Sequence, residues 1–192
     1  MQKLNQQPDI CPYFSPEFKV IPQYIIMKEG ECMELNNRTT SFFIFILSGE
    51  ITISFEQYTN RSVLENEMFF LPKNNCFKWK AVTQTVLILT GYNATIFPCT
   101  SVRARILYKI KAGVKFDCRG VVMKDEVKVV VNQMKHYLES GINCHHMYIL
   151  KHKELYLMFK HFYTYEEIIQ IFYLILGSNP LFNERVLENY LK

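Results

Sequence analysis

Residues 42–72, FFIFILSGEITISFEQYTNRSVLENEMFFLP, constrain this chain more than any other stretch. Two apolar segments meet at Ser48-Gly49-Glu50, a polar loop follows, and a third apolar segment ends at Pro72. Glycine reaches φ > 0 without a Cβ clash, so Gly49 suits a tight hairpin between strands. Hairpins repeated around a small closed β-barrel enclose either packed side chains or one small ligand. No histidine precedes His136, so imidazole metal ligands are absent from this half. The expectation is a barrel that senses rather than catalyses.

The period of the apolar residues divides the chain in two. Up to about Phe97 it is strand-like: Tyr24–Lys28, Phe42–Leu47, Ile51–Phe55, Met68–Leu71, Phe77–Val82 and Thr85–Tyr92 are short, β-branched or aromatic, and bounded by turn residues. Alternation puts Ile51, Ile53 and Phe55 on one buried face, and Phe77, Trp79 and Ala81 on another. Phe42–Leu47 and Val86–Leu89 are apolar on both faces. One face fills the barrel, and the other needs a cover: a helix, the N-terminal segment or a partner subunit.

From about Lys124 the period becomes helical. Val127, Val130, Val131, Met134, Tyr137 and Leu138 form one stripe, with Asp125 as the expected N-cap and Ser140-Gly141 as the stop. A second helix is predicted from about Asn143 to Phe162, with Tyr148, Leu155, Phe159 and Phe162 along one side. Thr164 and Glu167 make a capping box for a third, whose stripe is Ile168, Ile169, Phe172, Ile175 and Leu176. A short helix near Val102–Ile110, an extended segment near 115–122 and a last helix through Val186, Leu187 and Tyr190 complete the reading. That last helix reaches Lys192 without a C-cap glycine, so the chain is expected to continue in a longer protein.

With 49% hydrophobic and 21% charged residues over 192 positions, this is an ordered domain with at most a helical appendage. The first hundred residues carry 8 basic and 9 acidic side chains, and the remainder 14 and 9. The excess in the second half is scattered, whereas nucleic-acid modules concentrate it on one face, so direct DNA binding by these residues is not expected. The N-terminus lacks an apolar signal region and no apolar run is long enough for a bilayer, which together predict a cytoplasmic protein without membrane association. The six cysteines have no C-x-x-C pairing and read as reduced thiols, several of them buried.

Candidate sites are few. Cys144-His145-His146 with His152 and His161 is the one histidine cluster, but its helical spacing does not close a tetrahedral metal site, so no metal is expected. No nucleophile motif or glycine-rich phosphate loop is present, and no catalytic residue or cofactor is assigned. The remaining candidate is the barrel interior, with Phe43, Phe45, Ile53, Phe70, Phe77, Trp79 and Tyr92 as the ligand-binding lining. The competing reading is a simply packed core. Trp79 stands out because its indole N–H needs a partner.

These residues carry a resemblance. FIFILSGEITI (43–53) followed by ENEMFFLPKN (65–74) is similar to a degenerate cupin hairpin and its partner. HYLESGINCHHMYILKHKELYLMFKHFYTYEEIIQIFYLILG (136–177) resembles the linker helices of one subgroup of AraC-type transcriptional regulators, and FNERVLENYLK (182–192) the segment before their helix-turn-helix pair. The resemblance implies a mostly β fold with α: a cupin-like jelly-roll β-barrel sensor (1–122), then an all-α dimerisation and linker region of three to four helices (123–192). It also implies a homodimer formed through the C-terminal helices, a small-molecule effector, and DNA contacts made only by a domain outside this chain. No effector-binding residue carries over. The metal-binding histidines and glutamate of enzymatic cupins have no counterpart around Gly49 or Pro72. Two alternatives compete with this reading. A cyclic-nucleotide-type sensor needs a phosphate-binding helix start, for which only Arg61 is at hand, and a metal-dependent cupin enzyme lacks its ligands.

Overall fold

A computed structural model describes residues 21–56, 58–92, 108 and 117–176. Eight strands account for the first part: β1 (Gln23–Met27), β2 (Cys32–Asn37), β3 (Ser41–Ser48), β4 (Glu50–Phe55), β5 (Tyr58–Leu64), β6 (Glu67–Leu71), β7 (Asn75–Ala81) and β8 (Thr85–Tyr92). A two-residue strand, β9 (Val121–Val122), leads into helices α1 (Asp125–Glu139), α2 (His145–Phe162) and α3 (Tyr165–Leu176).

The strands form two antiparallel sheets, ordered β1-β8-β3-β6-β9 and β2-β7-β4-β5. Strand 1 pairs with 8, 2 with 7, 3 with 6 and 4 with 5, so the β-region is one long hairpin rolled up from its tip at β4–β5. That nested order is a jelly roll. It corrects the reading of Ser48-Gly49-Glu50 as a hairpin, because β3 and β4 belong to different sheets. Gly49 is instead the corner where the chain changes sheet, at φ 85°. A Cβ there would overlap the Gln84 carbonyl oxygen and lie 2.7 Å from Thr85 Oγ1. Glycine is therefore required twice over, by backbone conformation and by space. Thr85 seals the corner, its hydroxyl donating to the Glu50 carbonyl at 3.0 Å.

The alternation expected in β4 and β7 is present: Ile51, Ile53, Phe55, Phe77, Trp79 and Ala81 are all buried. They meet Ile44, Ile46, Phe69, Leu71, Leu87 and Leu89 from the facing sheet to make the inter-sheet core. The opposite face of the five-stranded sheet, with Phe43, Phe45, Met68, Phe70 and Ile88, is covered by the three helices. A helical cover was one of the three expected, and it makes the assembly three layers deep.

The helices end and begin largely where their residues dictate. After Ser140, Gly141 takes φ 71°; its N–H donates to the Leu138 carbonyl and that of Ile142 to Tyr137, the paired bonds of a Schellman stop. Thr164 and Glu167 form the reciprocal capping box, at 2.8 and 3.2 Å. Asp125 is not a cap. Lys124 holds the extended cap conformation, and Asp125 is the first helical residue, its carboxylate bound to Lys128 at 3.1 Å. Phe162 leaves the expected stripe of α2 and is 45% exposed, because the chain straightens at Tyr163, which is buried in its place. β2 and β5 were not anticipated; the polar stretch after β4 is a strand rather than a loop. The expected helix near 102–110 (Tyr108 apart) and the one through Tyr190 lie outside the described residues, as do Cys11 and Cys99. Of the four described thiols only Cys118 is buried.

Candidate functional site

The seven residues expected to line one pocket fall into two separate places. Ile53, Phe77 and Trp79 point between the sheets. Phe43, Phe45 and Phe70 point the other way, into the core shared with the helices, and Tyr92 packs against that core. The cause is phase. Side chains alternate along a strand, and β3, β6 and β8 are central strands that are apolar on both faces, so periodicity alone does not say which set faces in.

Between the sheets the space is filled. Trp79, Phe77, Ile44, Ile46, Ile51, Ile53 and Leu71 are each at most 2% exposed. The indole Nε1 of Trp79 has no hydrogen-bond partner among the described residues. A buried unsatisfied N–H costs about 1–3 kcal/mol, which the surrounding packing has to outweigh. Cys118 enters this core from the segment before β9 at φ 45°, and burial pushes its thiol up to about 12.

The layer between the five-stranded sheet and the helices is chemically different. Phe43 sits at its centre, with ring centroids 4.9 Å from Phe70, 5.4 Å from Tyr92, 5.8 Å from Phe159 and 6.1 Å from Phe172. Edge-to-face rings at such spacings add to what area burial alone provides. Three polar pins fix how the helices sit. Thr90 on β8 and His152 on α2, both buried, are joined Oγ1 to Nε2 at 2.8 Å. Tyr163, between α2 and α3, donates its hydroxyl to the Val122 carbonyl of β9 at 3.0 Å and accepts from the Lys124 N–H at 2.8 Å. Tyr148 donates to the Ile142 carbonyl at 2.7 Å, tying α2 to the turn before it. Burial raises both phenols to about 12. Lys124 also reaches Glu167 at 2.8 Å, so the strand exit and the start of α3 share one ionic contact.

His145 and His152 lie on the buried stripe of α2 with Tyr148, Leu155 and Phe159. Desolvation lowers both imidazoles, His152 to about 4, and each is further lowered by a neighbouring histidine. Of the cluster Cys144-His145-His146, His152 and His161, the helix buries His145 and His152, while Cys144 and His161 are exposed. Arg61 lies on β5, at the edge of the four-stranded sheet, whereas the helices cover the five-stranded one, so its setting is not a helix start. A cleft bounded by Phe43, Phe70, Arg119, Val121, Gln170 and Ile171 has room for about 10 Å³, close to one water.

No protein-family model matches this sequence, and no curated protein matches it. Solved structures do resemble it. The cupin domain of Cnp3 from Schizosaccharomyces pombe matches with TM-score 0.38 and 19% identity over 43% of this chain and 59% of that one. A conserved protein of unknown function from Streptococcus pyogenes matches with TM-score 0.34 and 19% identity over 38% and 62%. A cupin superfamily protein from Desulfitobacterium hafniense matches with TM-score 0.35 and 17% identity over 38% and 68%. The chain thus spans about 60% of the length of the first two. The fold rests on the strand order itself. No helix among the described residues is long and apolar enough to cross a membrane.

Proposed function

We propose that this chain is the effector-sensing and dimerisation portion of an AraC-type transcriptional regulator, in which a cupin-like sandwich biases the geometry of the helices packed on it. The observation that carries this reading is the shared core: β3, β6 and β8 bury one face against the other sheet and the opposite face against α1, α2 and α3. A shift in the sandwich is thereby a shift in what the helices rest on. An effector acts on such a unit only through different affinities for two docking geometries.

A second feature supports the dimer. Helix α2 carries two exposed leucines away from its buried stripe. Opposite its buried stripe, Leu150 and Leu157 are 62% and 48% exposed, two turns apart on one face. In an isologous pair the same face of a second copy would cover them. Sedimentation of the chain with Leu150→Glu and Leu157→Glu tests this: the unaltered chain should be dimeric at tens of micromolar (roughly the range of weak interfaces,) and the double variant monomeric. DNA contacts fall to a domain outside this chain, and the coding sequence following Lys192 tests that assignment. A helix-turn-helix pair there supports it; any other continuation, or none, removes it.

A further inference from the structure

We propose that the docking of α2 on the five-stranded sheet is an acid-sensitive latch, held shut by the Thr90–His152 hydrogen bond while the buried imidazoles stay neutral. The proposal needs only that α2 packs on the sheet, so it stands or falls separately from the regulatory assignment.

The stripe that α2 buries is apolar except at His145 and His152, two turns apart on the same face. His152 is 4% exposed and Thr90 fully buried. The Nε2 of His152 is 2.8 Å from the Thr90 hydroxyl, and its Nδ1 has no hydrogen-bond partner among the described residues. The economical tautomer therefore carries its proton on Nε2 and donates it to Thr90, leaving a lone pair rather than an N–H unsatisfied at Nδ1. A second proton has only Nδ1 to occupy. It would create a buried cation with one donor facing no acceptor, a state that burial penalises heavily.

Among the described residues no acidic side chain acts on His152 to compensate. Among the described residues, the titratable side chains of this core are His145 and Tyr148 on α2, Tyr163 after it, Tyr24 on β1, Tyr92 on β8, Tyr137 on α1 and Tyr173 on α3. Lys135 sits over the Tyr24 ring and Lys151 over that of Tyr137. Glu154 on α2 is held by Lys151 at 2.7 Å. Besides desolvation, the charge felt by His152 is that of His145, which repels a proton. Undocking α2 is the route by which an imidazolium reaches water.

The direction in pH follows from the depressed pKa. With His152 near 4 when docked and near 6.5 when released, the released form binds more protons between those values. Docking is at full strength above about pH 6.5 and weakens roughly tenfold per unit below it, until the docked value is reached. His145, lowered as well, acts in the same sense.

Hydrogen exchange of the α2 amides, corrected for the intrinsic pH dependence of exchange, tests the latch in the full chain. Between about pH 7.5 and about pH 5.5, α2 should lose roughly tenfold in protection. The emission of Trp79, the one tryptophan and buried in the other core, should stay constant. His152→Gln, which keeps a neutral donor for Thr90, should diminish the loss and leave only the part that His145 contributes. Equal protection at both pH values, an undiminished loss in His152→Gln, or a Trp79 shift that accompanies the loss would each overturn the proposal. If His152→Gln does not fold, an NMR titration of the His152 ring decides. A midpoint well below 6 supports the latch, and one near the ordinary histidine value of about 6.5 overturns it.

Discussion

The five-stranded sheet has two faces, and they are built for different purposes. The face turned toward the other sheet, which includes Phe69, meets aliphatic side chains, Phe55, Phe77 and Trp79, with the Thr85–Glu50 bond at the corner as its polar tie; the Trp79 indole N–H, without a partner among the described residues, is tolerated. The face turned toward the helices is aromatic and carries hydroxyl, phenol and imidazole groups that bond across the seam. Apolar packing holds over many slightly shifted arrangements, whereas buried polar pairs demand one arrangement and penalise all others. The first core holds the molecule together; the second specifies where the helices sit and supplies the means of releasing them.

The largest effects come from emptying each core in turn. Phe77→Ala and Phe43→Ala should each cost about 3–5 kcal/mol, the usual range for a buried phenylalanine. They should differ in kind. Followed in urea by both Trp79 emission and far-UV circular dichroism, Phe77→Ala should melt in one step by both probes, since the helices have nothing to rest on once the sandwich opens. Phe43→Ala should lose helical signal at lower urea than Trp79 emission. Coincident transitions in Phe43→Ala would show that the two cores form one cooperative unit, and the division drawn above would fail.

The corner between the sheets comes next. Gly49→Ala should cost about 2 kcal/mol, within the range for a residue forced into a strained conformation. Asparagine tolerates positive φ better than alanine, yet Gly49→Asn should be no milder, because the overlap with the Gln84 carbonyl arises at Cβ. Urea midpoints of the two variants decide: rescue by asparagine would mean that conformation alone required the glycine.

Much of this was legible in the residues, and the failures share a cause. The strands recognised in advance were those with apolar faces to bury, β1, β3, β4, β6, β7 and β8. β2, β5 and β9, whose residues carry no clear strand period, all lie at sheet edges. Edge strands are polar and short because exposed hydrogen-bonding edges invite pairing with other chains. In β5, of seven residues only Val63 is buried, so no period shows through. The pocket was misread for the opposite reason. Phe43, Phe45 and Phe70 belong to strands buried on both faces, where alternation exists but both phases are apolar. The pairing register resolves it, with Phe43 opposite Phe70 and, on the other side, Thr90. Local signals fared better: the capping box at Thr164 and the stop at Gly141 depend on neighbours in sequence alone.

A smaller effect is expected where the seam is pinned at its base. Tyr163→Phe removes the bond to Val122 and the acceptor for Lys124 N–H while keeping the ring, which packs 5.6 Å from Phe159. The cost should be about 1–2 kcal/mol, from the bonds lost and the backbone groups left without a partner. The exchange of β9 and α1 amides should quicken while that of β4 and β7 stays unchanged. Equal acceleration in both sheets would place the hydroxyl in the general stability of the fold rather than in the seam.

The smallest contrast lies between two helix starts in the helical layer. At α3, Thr164 accepts from the Glu167 N–H and Glu167 accepts from the Thr164 N–H. At α1, Lys124 makes no side-chain cap bond, and Asp125 offers a surface carboxylate paired with Lys128 three residues on. Thr164→Ala should therefore cost about 1 kcal/mol, as for the loss of a capping hydroxyl, and Asp125→Ala about 0.3 kcal/mol, as for one exposed helical ion pair. Raising the salt concentration should shrink the second and leave the first unchanged, because exposed charges are screened and a hydroxyl cap is not. If the two losses proved equal and equally salt-sensitive, the Thr164 contribution would be electrostatic, carried by Glu167 and its 2.8 Å contact to Lys124 rather than by the cap.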